Sequence, residues 1–167
     1  PESSRQAKGT AIINLLNLEG DEYVTAVIPV RDVDEDANLV MATKNGLIKK
    51  TSYSEFKNIR KSGLIAITLR EGDNLIGVRL TSGRDDIMVV TKKGMSIRFS
   101  ESDVRNMGRS AMGVKSIDLK EDDEVVAFEI PQDDKYLLVI SENGFGKMTK
   151  MTEYRKQNRS GVGLLTY

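Results

Sequence analysis

The sequence predicts an all-β, propeller-like chain built from four-stranded blade repeats of about 50 residues. Three observations carry this expectation: an internal period, apolar runs of strand length, and turn dipeptides that fold one run back onto the next. The period is plainest where Asn38 to Gly46, Asp86 to Gly94 and Tyr136 to Gly144 align without gaps, at spacings of 48 and 50 residues. An Arg four residues before a Gly recurs as Arg5 with Gly9, Arg109 with Gly113 and Arg159 with Gly163, and in shortened form as Arg60 with Gly63. A third marker, Leu69 to Val78, matches residues 119–128 and, less closely, 18–27. These markers divide a single domain, 1–167, into repeat units 1–37, 38–85, 86–135 and 136–167, of which the first and last are partial.

Within each unit the apolar runs are rich in Val, Ile and Leu and too short for an ordinary helix. Strands are expected at residues 11–16, 24–30, 39–43, 64–69, 75–80, 87–90, 125–130 and 136–140. Asn45-Gly46 and Asn143-Gly144 supply the positive φ of a two-residue hairpin turn, and Lys93-Gly94 is a weaker form of the same signal. Each turn joins a buried strand to a charged one. After each hairpin comes Ser52-x-x-Glu55, Ser100-x-x-Asp103 or Thr149-Lys150-x-x-Glu153, of which the first two resemble capping boxes and predict no more than one helical turn.

Composition excludes several chemistries. Without Cys there is no disulfide, thiolate zinc site or thiol nucleophile, and without His there is no imidazole base or catalytic triad built on one. Aromatic residues are 5% of the chain and Trp is absent, so the core is expected to be aliphatic. No apolar run approaches the roughly 20 residues of a membrane span, and the opening residues do not form a signal peptide. The expected location is the cytoplasm.

The formal net charge is zero, from 25 basic and 25 acidic residues, yet the charges are segregated. Stretches 44–63, 92–113 and 143–163 hold 16 basic and 4 acidic residues, leaving 9 basic and 21 acidic elsewhere. The basic stretches are the outgoing hairpin arm and the loop after it, at the same place in every repeat. If the repeats are blades, Lys49, Lys50, Arg60 and Lys61, then Arg98, Arg105 and Arg109, then Lys147, Arg155, Lys156 and Arg159 form one curved stripe. A curved basic stripe is the footprint of bent duplex DNA. Arg5, Lys8, Lys57 and Lys150 are candidates for the same contact. The plain alternative is that each lysine keeps an exposed hairpin soluble.

Two near-motifs fail. Asp32 to Asp36 opens like a calcium loop, but Ala37 and Thr43 stand where Gly and Glu are required. Gly144-Phe145-Gly146-Lys147 lacks the first Gly of a phosphate loop and has Met148 where Ser or Thr should follow. A protein-interaction propeller and a hydrolase using paired carboxylates remain as competing function classes, and a steep salt dependence of DNA binding separates the first reading from both.

The run Lys8-Gly9 to Leu16, Val24 to Val30, Met41 to Gly46 and Leu75 to Thr81, with Val104-Arg105-x-Met107-Gly108-Arg109, Glu142-Asn143-Gly144-x-Gly146-Lys147 and Glu153-Tyr154-Arg155, resembles the C-terminal domains of bacterial type II topoisomerase A subunits, closest to those of DNA gyrase. That resemblance implies a six-bladed β-pinwheel, of which the chain carries about three blades, with a basic rim that wraps duplex DNA and supports ATP-dependent negative supercoiling. It implies that the chain holds no catalytic residue, metal or cofactor, the Mg2+ and ATP sites of the holoenzyme lying on other domains. The implied partners are duplex DNA and the rest of an A2B2 gyrase heterotetramer, near the bacterial nucleoid and without a membrane. The family's Gln-Arg-Arg-Gly-Gly-Lys-Gly box is not intact; Gln157 to Gly163 keeps part of it. The chain is therefore expected to begin after the first blade and stop before the last, and the topoisomerase IV A protein stays open as the relative. Open terminal blades are expected to drive self-association.

Overall fold

Positive φ at Gly46 (+78°), Gly94 (+76°) and Gly144 (+80°) lets three hairpins close where the sequence placed them. In the computed structural model, which describes residues 4–11, 14–16, 18, 20–30, 33–60 and 62–167, the hairpins are β1 (Asn38–Thr43) with β2 (Leu47–Ser52), β4 (Asp86–Thr91) with β5 (Met95–Ser100), and β8 (Tyr136–Ile140) with β9 (Gly146–Lys150). Two of them grow into antiparallel four-stranded sheets. The first has the order β3-β1-β2-β6 and the second β10-β5-β4-β7, where β3 is Leu75–Thr81, β6 Val114–Lys115, β7 Val125–Glu129 and β10 Leu164–Leu165.

The outer strand of each sheet belongs to the following repeat. Ile48 pairs with Val114, and Ser96 pairs with Leu164. A chain that lends a strand to the blade behind it cannot leave its neighbour without breaking a sheet. The hydrophobic core follows the same logic: Val40, Ala42 and Ile48 of the first sheet form one buried cluster with Ile87, Val89, Ile97, Phe99, Val125 and Phe128 of the second. As the low aromatic content implied, this core is mostly aliphatic. A smaller cluster, Met88, Met151 and Tyr154, joins the second sheet to the third hairpin.

Three single 3-10 turns follow the hairpins, at Tyr53–Phe56, Glu101–Asp103 and Met151–Glu153, the first two where the capping signals indicated a turn and the third without such a signal. Of the two Ser caps, Ser100 accepts a bond from the Ser102 amide, whereas the Ser52 side chain caps nothing.

Two expected strands are not formed. Residues 24–30 and 64–69 carry no strand structure. By repeat position, 24–30 corresponds to β3 and β7, and 64–69 begins like β6 and β10; each of those strands exists by lying against a hairpin. No hairpin among the described residues pairs its backbone with 24–30 or 64–69, and without such a ladder neither segment becomes a strand. The expected strand at 11–16 falls partly outside the described residues, since Ile12 and Ile13 are not among them. The third hairpin has no flanking strand among the described residues, and Tyr136, Leu138, Ile140 and Met148 are exposed on it.

The acidic marker has a structural role at the turn end of the first two hairpins. Asp73 Oδ1 accepts the amides of Asn45 and Asn74 at 2.9 Å, and Asp123 Oδ1 accepts those of Lys93 and Glu124 at 2.9 Å. These two carboxylates thus brace hairpin turns. At the strand-exchange point, a Cβ on Gly113, whose φ is +98°, would lie 2.6 Å from the Ile48 carbonyl oxygen. Gly113→Ala is expected to cost about 1–3 kcal/mol in urea unfolding by pushing β6 off β2. Gly108→Ala, which meets nothing within 4 Å, is the control and is expected to lose far less.

Candidate nucleic-acid interface

Edge strands β3 and β7 lie against each other: Arg79 on β3 pairs with Glu129 on β7 at 2.6 Å and sits 5.3 Å from the centre of the Phe128 ring. The opposite edges, β6 and β10, are therefore the far sides of the two sheets. The basic loops of the third and fourth repeats run along these far sides. Asn106 bridges to Lys50 and Lys156 to Arg98 as the loops cross the outgoing hairpin arms.

Successive loops also rest on one another. Arg159 donates from Nε to the Asp103 carbonyl at 2.9 Å and from Nη1 to the Lys115 carbonyl at 3.0 Å, tying the last basic loop to the one before. An open groove of about 810 Å³ is lined by Ser54, Glu55, Asn58 and Arg60 on one side and by Arg109 and Ser110 on the other. A second groove, of about 460 Å³, lies between the Ser100 to Asp103 turn and Arg155, Lys156, Gln157 and Asn158. Each groove sits where a turn of one repeat meets the loop of the next.

The structure divides the basic residues expected in the stripe into two groups. Lys49, Lys50 and Arg98 are not on the surface. Lys49 is fully buried, its Nζ donating to the carbonyls of Ala66 and Arg109. Lys50 Nζ donates to the Glu101 carbonyl at 2.9 Å and lies 3.8 Å from the Glu101 carboxylate, which is itself fully buried. Arg98 donates to Asp86 at 2.9 Å, to Asp133 at 2.6 Å and to the Met151 carbonyl at 3.2 Å. Desolvation works against the Arg98 charge, but the carboxylates of Asp133 and Asp86 outweigh it and hold its pKa above the ordinary value. All three residues stand on outgoing arms covered by the next repeat's loop, so their cations face protein.

The remaining candidates stand outside. Arg60, Arg105, Lys150 and Arg155 are exposed and have no ion-pair partner among the described residues. Arg5 and Lys8 are exposed within the irregular first segment, and Lys147 is exposed on β9 with its Nζ 3.4 Å from the Thr166 carbonyl. Lys57 is held by Glu35 at 2.6 Å, and Lys156 by Asp86 at 2.8 Å. Arg109 and Arg159 are half-buried. Lys61 lies outside the described residues.

The counter-ions of the inner cations are the functional residues that sequence reasoning missed: Asp86 and Glu101, both buried, and the more exposed Asp133. Glu101 had a signal, because it aligns with Tyr53 and Met151, and a carboxylate at an otherwise apolar position asks for a buried cation. Among the described residues there is no cluster of three or more metal-ligating side chains, and no helix long and apolar enough to cross a membrane.

Known proteins share this architecture. The sequence matches the family described as DNA gyrase C-terminal domain, beta-propeller, over residues 1–31, 37–82, 85–132 and 135–166. It is 56% identical over its whole length to 20% of the DNA gyrase A protein of Clostridium acetobutylicum, and 46% identical over 99% of its length to 19% of that of Salmonella typhimurium. The chain thus spans about a fifth of the curated relatives it matches. Among solved structures it resembles a DNA topoisomerase IV C-terminal domain (TM-score 0.87, 33% identity, 94% of this chain and 49% of that one) and a DNA gyrase A C-terminal domain (TM-score 0.83, 30% identity, 95% and 53%).

The division of cations is testable by stability. Arg98→Met is expected to cost about 3–5 kcal/mol in urea unfolding, because it strips a buried carboxylate of its partner, with Lys156 on Asp86 setting the lower end. Arg155→Ala is expected to stay within about 0.5 kcal/mol of the parent. Equal losses would contradict the division.

Proposed function

We propose, from the premise that the chain belongs to the DNA gyrase C-terminal domain β-propeller family, that the far edges of its sheets hold bent duplex DNA. The observation that carries this reading is that three successive repeats each place an exposed cation, unpaired among the described residues, in the loop after the hairpin: Arg60, Arg105 and Arg155, of which the last two are equivalent positions, while Lys57, their counterpart in the earlier repeat, is held by Glu35. Arg109, beside Arg60 in the first groove, extends the set.

The physical route is short. A guanidinium or ammonium aimed at phosphate neutralises backbone charge and releases counterions, without reading base edges. Binding is then strong at low salt and indifferent to sequence. Smooth bending of a duplex over 20–30 base pairs costs about 1–6 kcal/mol. Each further blade that engages phosphates offsets part of that cost, so wrapping grows with the number of blades. The chain's own residues supply no group for phosphodiester chemistry in this account. Cleavage, ATP use and the A2B2 assembly with gyrase B belong to other parts of the protein. The wrap would present a crossing segment to that machinery in the bacterial cytoplasm and so bias strand passage toward negative supercoiling. The likeness to a topoisomerase IV domain favours a second reading, in which the same edge senses DNA geometry for decatenation. Any self-association of the chain would run through the bare face of the third hairpin.

If about four to six phosphates are neutralised, log K against log salt is expected to fall with a slope of roughly −4 to −5. Charge reversal at Arg60, Arg105 and Arg155 together should reduce that slope and weaken binding by at least tenfold. Reversing three exposed lysines at the acidic turn end, Lys92, Lys93 and Lys120, should not. A flat salt response, or equal loss from both sets, would refute the interface. In the full-length protein assembled with gyrase B, loss of supercoiling with relaxation retained supports the gyrase reading; loss of decatenation alone supports the topoisomerase IV reading.

A further inference from the structure

The two inter-repeat junctions are closed by different chemistry. In the later one, the Ser160 amide, presented by a left-handed backbone (φ +67°), donates to the Ser116 carbonyl at 2.7 Å, and Ile97 fills the strand position beneath. In the earlier one, the corresponding carbonyl belongs to Ala66, and among the described residues no backbone amide reaches it. Lys49 stands where Ile97 stands, and its Nζ bonds both Ala66 and Arg109 carbonyls. We propose that Lys49 is an internal positioning residue that holds Arg109 in the groove it shares with Arg60, replacing with a side chain the backbone bond of the next junction.

The inference rests on the DNA-binding reading of that groove. The chemistry of the amine makes it distinctive. Two carbonyls face Nζ, so a neutral amine with its two N–H groups satisfies both, whereas an ammonium has a third N–H with no partner among the described residues. Arg109 is the charged neighbour acting on Lys49; Lys50 and Glu101, next along, are bound to each other. Burial, and then the Arg109 charge, push the Lys49 pKa down to about 8. Once the loop opens to water, the pKa returns toward about 10.4. Between these two values the closed junction binds fewer protons than the open one. Raising pH through that window therefore favours the closed state, and lowering it below about 8 removes the advantage.

Hydrogen exchange on the full-length protein without DNA tests this, because it does not depend on DNA binding. Lys49→Ile, which installs the residue of the next repeat, is expected to speed exchange at least tenfold in peptides covering 64–69 and 105–113 and to leave 155–163 unchanged. In the unsubstituted protein, protection of the first two peptides, corrected for intrinsic exchange, is expected to rise from pH 7.5 to 9.5, with a flat profile in the variant. On a 40-base-pair duplex, Lys49→Ile should lose as much affinity as Arg109→Ala, about three- to tenfold, and the double substitution no more than either. Unchanged protection, a flat profile in the unsubstituted protein, or additive losses in affinity would each overturn the proposal. If the variant does not fold, the pH profile of the unsubstituted protein decides alone. Should the unsubstituted protein fail to bind duplex, the functional reading falls while the exchange results still judge Lys49.

Discussion

The structure depends on a cation four residues after the hairpin glycine in each of the two four-stranded sheets. Lys50 follows Gly46 at that spacing and Arg98 follows Gly94, and each donates to the first carbonyl of the next repeat's 3-10 turn, that of Glu101 or Met151. Each also offers its own carbonyl back, to the amides of Met107 and Gln157 at 2.8 Å. One residue thus holds the loop of the following repeat through side chain and backbone together. A charge placed there cannot stay unpaired out of water, so Glu101 and Asp86 are needed where they stand. With the loop held along the outgoing arm, it reaches the far edge of the sheet and adds β6 or β10.

That clamp divides the basic residues by position in the repeat. Cations on the outgoing arms are used by the fold, and cations in the loops that the clamp holds face water. The acidic residues are divided by position too, Asp73 and Asp123 bracing the hairpin turns and Glu124 pairing Lys44 at 2.9 Å at that same turn end. A chain of zero net charge thereby presents a basic edge. The charge on that edge is smaller than a count of lysines and arginines in the basic stretches suggests, and it is carried mainly by arginine, whose planar guanidinium suits phosphate oxygens.

Much of this was legible in the sequence, and what was not has physical causes. Hairpins at Gly46, Gly94 and Gly144 could be read because a positive φ and flanking β-branched residues are local signals. Strands β6 and β10 could not, since two residues have no period and their pairing is set by a sheet built about 65 residues earlier. Residues 24–30 have the composition of a strand without a ladder to join, and composition alone does not report a partner. Lys49 and Arg98 looked like solvent-facing charge because lysine and arginine usually are. Aligning the repeats corrects the first: Ile97 at the position of Lys49 marks it as interior. Nothing comparable marked Arg98, whose equivalents are Lys50 and Met148.

The central claim is that the loops on the far edges, and not the turn ends, hold the duplex. Amide hydrogen exchange of the full-length protein with and without relaxed duplex DNA tests it most directly. The account predicts slower exchange on binding in residues 54–63, 105–113 and 155–163, with no change in the acidic segments 70–73 and 120–124. Protection of the acidic segments, or none in the three loops while DNA is bound, would contradict it.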